Sequence, residues 1–111
     1  MKRILAKFYR NSLGVEPVRE FLKGFSKEDK KIIGVDIQTV EYGWPIGMPT
    51  CRPLKENLYE VRSKILAKRE VRILFCIVAN EMILLHGFIK KSQKTPDKEL
   101  QLARKRKKQV M

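Results

Sequence analysis

The sequence predicts an α+β domain in which helices pack on one face of a mostly antiparallel sheet. Three observations lead there. Apolar residues recur every three to four positions in the first half of the chain and every second position from Leu58 onward. Three strand-like runs then follow one another with short turns between them, the connection expected of antiparallel neighbours. With 111 residues, 43% of them apolar, the chain has the size and composition of one modest core. The expected order is β-α-α-β-β-β-α in a single domain spanning 1–111.

Each element has a local cause. Between Arg3 and Tyr9, Ile4, Ala6 and Phe8 share one face and predict a strand, which Asn11-Ser12-Leu13-Gly14 ends. Pro17 suits a first helical position, and Val18, Phe21, Leu22 and Phe25 then fall on one helical stripe. Ser26 with Asp29 three residues later resembles a capping box and opens a second helix. Its buried stripe is Ile33, Ile37 and Val40, with Ile32 beside it, and it runs to about Glu41. Tyr42–Pro49 is dense in glycine and proline and reads as a loop that packs its tryptophan against the domain. The strand runs are Leu58–Lys64, Val71–Ala79 and Met82–Lys90, with turns near Ala67–Arg69 and at Asn80-Glu81. Val71–Ala79 is apolar on both faces, as a central strand would be. Thr95 and Pro96 suit the Ncap and N1 of a last helix, with Asp97 and Glu99 at its positive end. Leu100, Ala103 and Val110 face inward, and Arg104, Lys105, Arg106, Lys107 and Lys108 make a cationic tail.

Charge narrows the partners. Twenty-five Lys and Arg against twelve Asp and Glu give +13. That imbalance predicts attraction to a polyanion, leaving nucleic acid, an anionic membrane surface and an acidic protein open. Lys90 to Lys108 alone holds nine basic and two acidic residues. No apolar run approaches the ~20 residues of a membrane span, the N-terminus lacks a signal-peptide core, and two cysteines make no disulfide framework. A cytoplasmic protein without membrane partners is expected.

Most catalytic chemistries find no support. One histidine and two distant cysteines make a transition-metal site unexpected, no glycine-rich phosphate loop is present, and no serine lies in a nucleophile elbow. His86, mid-strand, is either a sheet histidine bonded to a neighbour or an acid–base group. What remains is cationic. Glu60, Arg62 and Lys64 share one strand face, opposite Tyr59, Val61 and Ile65. If the helices cover only one face of the sheet, Lys55, Arg62, Arg72, Lys90, Lys91 and Lys94 would converge on the other. Such a cleft needs no cofactor to cut RNA, because the substrate carries its own 2′-hydroxyl nucleophile and the protein supplies positioning and charge. The same cluster could simply bind phosphates.

Four segments add a resemblance. Tyr42–Pro49, Leu58-Tyr59-Glu60-Val61-Arg62, Val71-Arg72-Ile73-Leu74-Phe75 and His86–Pro96 look like the RelE/ParE toxin superfamily, and within it the phage-derived, HigB-like branch of type II toxin–antitoxin systems. The likeness spans roughly Ile4 to Arg106. It implies a metal-independent endoribonuclease, an mRNA interferase that acts on the ribosome and inhibits translation. A cognate antitoxin, often a helix-turn-helix protein, would neutralise it. By position, Arg62 is similar to the strand arginine at the scissile phosphate, and Lys55 to basic residues that serve as base or phosphate ligand. Lys90 and Lys91 look like the basic pair near the leaving group. Arg72 corresponds to the arginine of the central hairpin, with substrate contact or a structural role both open. Superfamily enzymes often place an aromatic or histidine near the C-terminus, yet no Tyr, Trp, Phe or His follows Phe88. Tyr59 or His86 would take that role, or Gln93 and Lys94 would suffice. Arg104–Lys108 would meet ribosomal RNA or antitoxin. ParE-like relatives inhibit gyrase without cutting RNA, and a non-enzymatic nucleic-acid-binding domain is the third reading.

Overall fold

Five strands form one sheet in the order β1-β5-β4-β3-β2 in the computed structural model, which describes residues 1–91 and 93–111. Ser92, within the His86–Pro96 segment, lies outside the described residues. The strands are β1 (Leu5–Phe8), β2 (Cys51–Pro53), β3 (Tyr59–Ile65), β4 (Arg69–Val78) and β5 (Glu81–Ile89). The helices are α1 (Pro17–Leu22), α2 (Lys27–Gly43) and α3 (Asp97–Lys108). Pairing is antiparallel from β2 through β5, and β1 joins β5 in parallel. The α+β class and the mostly antiparallel sheet are as the sequence predicts. Among the described residues no helix is long and apolar enough to cross a membrane.

Local causes are visible at the element ends. Pro17 occupies the start of α1, and Ser26 Oγ accepts the Asp29 N–H at 3.1 Å to open α2. The Asp29 carboxylate is used elsewhere: buried, it accepts Leu66 N–H at 3.1 Å and Arg69 Nη2 at 2.8 Å, fixing the β3–β4 turn. Glu41, also buried, accepts Ala6 N–H at 2.7 Å and so ties the end of α2 to β1. Trp44 packs edge-on against Tyr59 and Phe75, as expected of the loop tryptophan.

Three details differ from the sequence reading. β2 is an additional short edge strand, paired to β3 through Cys51↔Val61, Arg52↔Glu60 and Pro53↔Tyr59. Three residues, the last of them a proline, are too short to show a periodicity. The helices do not share one face. α1 and α2 cover the side bearing Val61, Val71, Ile73 and Phe75, while Leu100 and Ala103 of α3 pack on Leu74, Cys76 and Leu85 from the other side. The cause is the two-sided apolar character of β4 and β5, which requires cover on both faces. Finally, Pro96 is the N-cap of α3 and Thr95 caps nothing, because its hydroxyl is bonded to Glu60.

Candidate active site

α3 covers only one end of the second face. At the other end strand alternation puts Glu60, Arg62 and Lys64 of β3 beside Glu70 and Arg72 of β4, with Lys90 just after β5. Register places Arg62 directly opposite Arg72 and Lys64 opposite Glu70. Like charges facing across a ladder repel, so each arginine needs a carboxylate. Glu60, 0% exposed, serves both: its Oε1 accepts Arg62 Nε at 3.1 Å and lies 3.6 Å from Arg72 Nη1. Glu70 Oε1 accepts Arg72 Nε at 3.3 Å, and its Oε2 lies 3.7 Å from Lys90 Nζ. The result is a chain of alternating charges, Arg62–Glu60–Arg72–Glu70–Lys90, with one excess positive charge and its two ends nearest solvent. The Arg62 side chain is 19% exposed and Lys90 23%, against 1% for Arg72.

Those ends, with Lys64 and Glu70, line a cavity of about 520 Å³ that opens where β2 stops. Arg62 N–H donates to Thr50 O there at 2.9 Å, the last bond before the β3 edge becomes free of β2. Asp36 of α2 and the Met48–Thr50 loop complete the walls. A second basic hollow, of about 410 Å³, adjoins it through Glu70 and Lys90 and adds Lys68, Arg69, Lys91 and Gln93. A polyanion lying across the Glu70–Lys90 bridge would meet cations on both sides.

The expected convergence of six cations is only partly met. Arg62 and Lys90 share the first cavity, and Lys91 stands exposed at the second. Lys94 is exposed and engaged within the protein, and Gln93 offers its carbonyl to Arg72 Nη1 at 3.4 Å. Arg72 departs from the expectation of an open cationic face, since it is enclosed by Glu60, Glu70 and Thr95 and reaches no surface. Lys55 sits in the β2–β3 turn, a three-residue left-handed stretch with Glu56 and Asn57 (φ 87, 54 and 56°) that packs beside α3. Tyr59 faces the first side of the sheet, stacked on Phe75 at 5.4 Å, away from Arg62. His86 is held by α3, with Nε2 3.0 Å from Glu99 and Nδ1 3.4 Å from Arg106, which matches the reading of a sheet histidine bonded to neighbours.

The cationic tail of α3 is likewise divided. Arg106 donates to Leu85 O at 2.8 Å and lies over the Tyr9 ring, and its burial pulls the guanidinium below its usual range. Arg104 pairs with Glu56 at 3.2 Å and Lys107 donates to the Glu56 carbonyl, so both clamp the β2–β3 turn. Lys105 and Lys108 are exposed. Burial pushes both thiols up to about 11, which leaves Cys51 and Cys76 protonated and unreactive at neutral pH.

Sequence reasoning puts Lys64 on the Arg62 face without counting it among the converging cations, and it leaves out Glu70 and Asp36. A signal existed for Glu70: two residues before Arg72, it falls on the same sheet face. Asp36 comes from a helix, and no strand count could reach it. Among the described residues no three His, Cys, Asp or Glu side chains gather as metal ligands would. No curated protein matches the chain. The model of the family described as phage derived protein Gp49-like (DUF891) matches residues 20–108, well over half the sequence and every strand that lines the cavity. The chain therefore belongs to the phage-derived Gp49-like family, a toxin-like group of the RelE/HigB type.

Proposed function

We propose that this protein is the toxin of a type II toxin–antitoxin system and that it cuts messenger RNA on the ribosome. The observation that carries the reading is Arg62, held by a fully buried glutamate at the mouth of a cavity that also contains Lys64, Glu70 and Lys90. Membership of a toxin-like family supports it.

The chemistry suited to these groups is transesterification. The 2′-hydroxyl attacks the adjacent phosphorus, the P–O5′ bond breaks, and the products are a 2′,3′-cyclic phosphate and a 5′-hydroxyl. Charge builds on the non-bridging oxygens, where a guanidinium fixed in advance stabilises it without reorganising. In this reading Glu70 accepts the 2′-hydroxyl proton and Lys90 gives one to the departing 5′ oxygen, the ion pair between them opening as the phosphate enters. Messenger RNA, the ribosome and a neutralising antitoxin, with helix-turn-helix architecture and acidic segments toward the +13 toxin, are the partners of this reading.

Controlled expression with transcript 5′-end mapping tests it. New 5′ ends should appear within translated frames, and Arg62→Ala should reduce cleavage about 100-fold or more. Arrested growth with intact transcripts and altered DNA supercoiling would instead assign a gyrase-directed toxin.

A further inference from the structure

We propose that Thr95 is a positioning residue for Arg62, acting through the buried Glu60 carboxylate. This rests on the endoribonuclease reading above.

The Thr95 hydroxyl is in an unusual place. Thr95 precedes Pro96 and stands one residue ahead of the α3 cap, where its side chain could serve the helix N-terminus. It turns away and is 4% exposed. Its Oγ1 donates to Glu60 Oε2 at 2.7 Å and accepts from Arg72 Nη1 at 3.5 Å. Glu60 thus has one oxygen on Thr95 and the other on Arg62 Nε at 3.1 Å. A carboxylate is planar, so a short bond to Oε2 sets the direction in which Oε1 points. The aim of Arg62 is therefore set from the far side of Glu60.

The same hydroxyl closes a loop. Lys90 is fixed at one end by its N–H on Glu70 O at 2.8 Å. Gln93 is fixed by its carbonyl on Arg72, and Thr95 anchors the other end. The loop bearing Lys90, Lys91 and Lys94 is thereby fastened to the ion chain that aims Arg62. Without the Thr95 hydroxyl, Glu60 Oε2 is left buried without the one side-chain hydroxyl that donates to it among the described residues, and the carboxylate is no longer fixed from the α3 side. Attraction for RNA persists, because Lys64 and Lys90 are untouched. The loss falls on alignment, which governs turnover more than binding.

The test compares the wild-type full-length protein with Thr95→Val and Thr95→Ser on programmed ribosomes, beside NMR of the Arg62 Nε–H group. Thr95→Val is expected to lower kcat about tenfold with KM within about twofold, and Thr95→Ser to restore it. The Arg62 Nε–H resonance should shift and exchange faster in Thr95→Val but not in Thr95→Ser. In the wild type the Thr95 hydroxyl proton should be sheltered enough to observe, a measurement that does not depend on the valine variant folding. Wild-type kcat and an unmoved Arg62 signal in Thr95→Val overturn the proposal, as does a Thr95 hydroxyl in free exchange. If the wild type leaves RNA intact, the endoribonuclease reading fails, and the Arg62 and Thr95 signals still decide the linkage on their own.

Discussion

Arg72→Met separates the ion chain from the reaction. Arg72 is 1% exposed and lies 3.6 Å from Glu60 and 3.3 Å from Glu70. Methionine is unbranched and long enough to fill most of the space, so the change removes charge and hydrogen bonds more than volume. Deleting one partner of a buried pair costs about 3–5 kcal/mol, because the survivor stays charged and dry. Here the survivors are not stranded: Glu60 keeps Arg62 at 3.1 Å and the Thr95 hydroxyl at 2.7 Å, and Glu70 keeps Lys90 at 3.7 Å. The lower end applies, ~3 kcal/mol, against the ~5–15 kcal/mol that holds an ordinary domain together. Urea unfolding followed by Trp44 fluorescence reads it, since Trp44 is seated on Tyr59 and Phe75. With a slope near ~1.5 kcal/mol per molar, the midpoint should fall by about 2 M. A midpoint shift under ~0.5 M refutes the reasoning.

Other expectations follow from separate parts of the molecule. At Gly87 an added Cβ would stand 2.6 Å from Phe21 Cδ2, and that ring is braced edge-on by Phe25 at 5.1 Å. Gly87→Ala should therefore cost ~1–3 kcal/mol and lower Tm by ~5–15 °C, and an unchanged melt would show that the ring yields freely. The two thiols give a pH dependence. Unfolded cysteines ionise near 9, while Cys51 and Cys76 stay protonated up to about 11. Stability is thus full below the unfolded value and is lost as pH climbs from there through the folded value, by at most ~3 kcal/mol per thiol. Replacing both by alanine should flatten the decline, and an identical decline in that variant would assign it to other groups. In the folded protein neither thiol should react with iodoacetamide near neutral pH, whereas both should on denaturation.

Periodicity made most of this fold legible. Val18, Ile33, Ile37 and Val40 are buried as their helical stripes require, and the alternation in β3 correctly divides Glu60, Arg62 and Lys64 from Val61 and Ile65. Alternation assigns a side chain to a face, however, and says nothing of what lies above it. Arg62 and Arg72 carry the same charge on facing positions, and only the placement of Glu70 and Thr95 around Arg72 makes one buried and the other accessible. Thr95 misled in the same way. Threonine before proline is a fitting helix start, and the competing partner, Glu60, lies 35 residues earlier. Lys55 was placed by its position before β3, but the left-handed turn that holds it belongs with the α3 end of the sheet. Pairwise contacts across long stretches of chain decide these cases, and composition does not record them.

The order of the strands has a consequence for the timing of synthesis. β1, the first strand to be made, has its partner in β5, with Leu5 facing Glu81. Arg62 leaves the ribosome well before Lys90 and Thr95, the residues that flank and steady it. Sheet pairings this distant form late, because the intervening loop must be closed first. A growing chain therefore carries an unpaired β1 and an unassembled cavity until β5 and Thr95 have been made. Under the function proposed above, the toxin is inert toward the ribosome producing it until β5 and Thr95 have emerged.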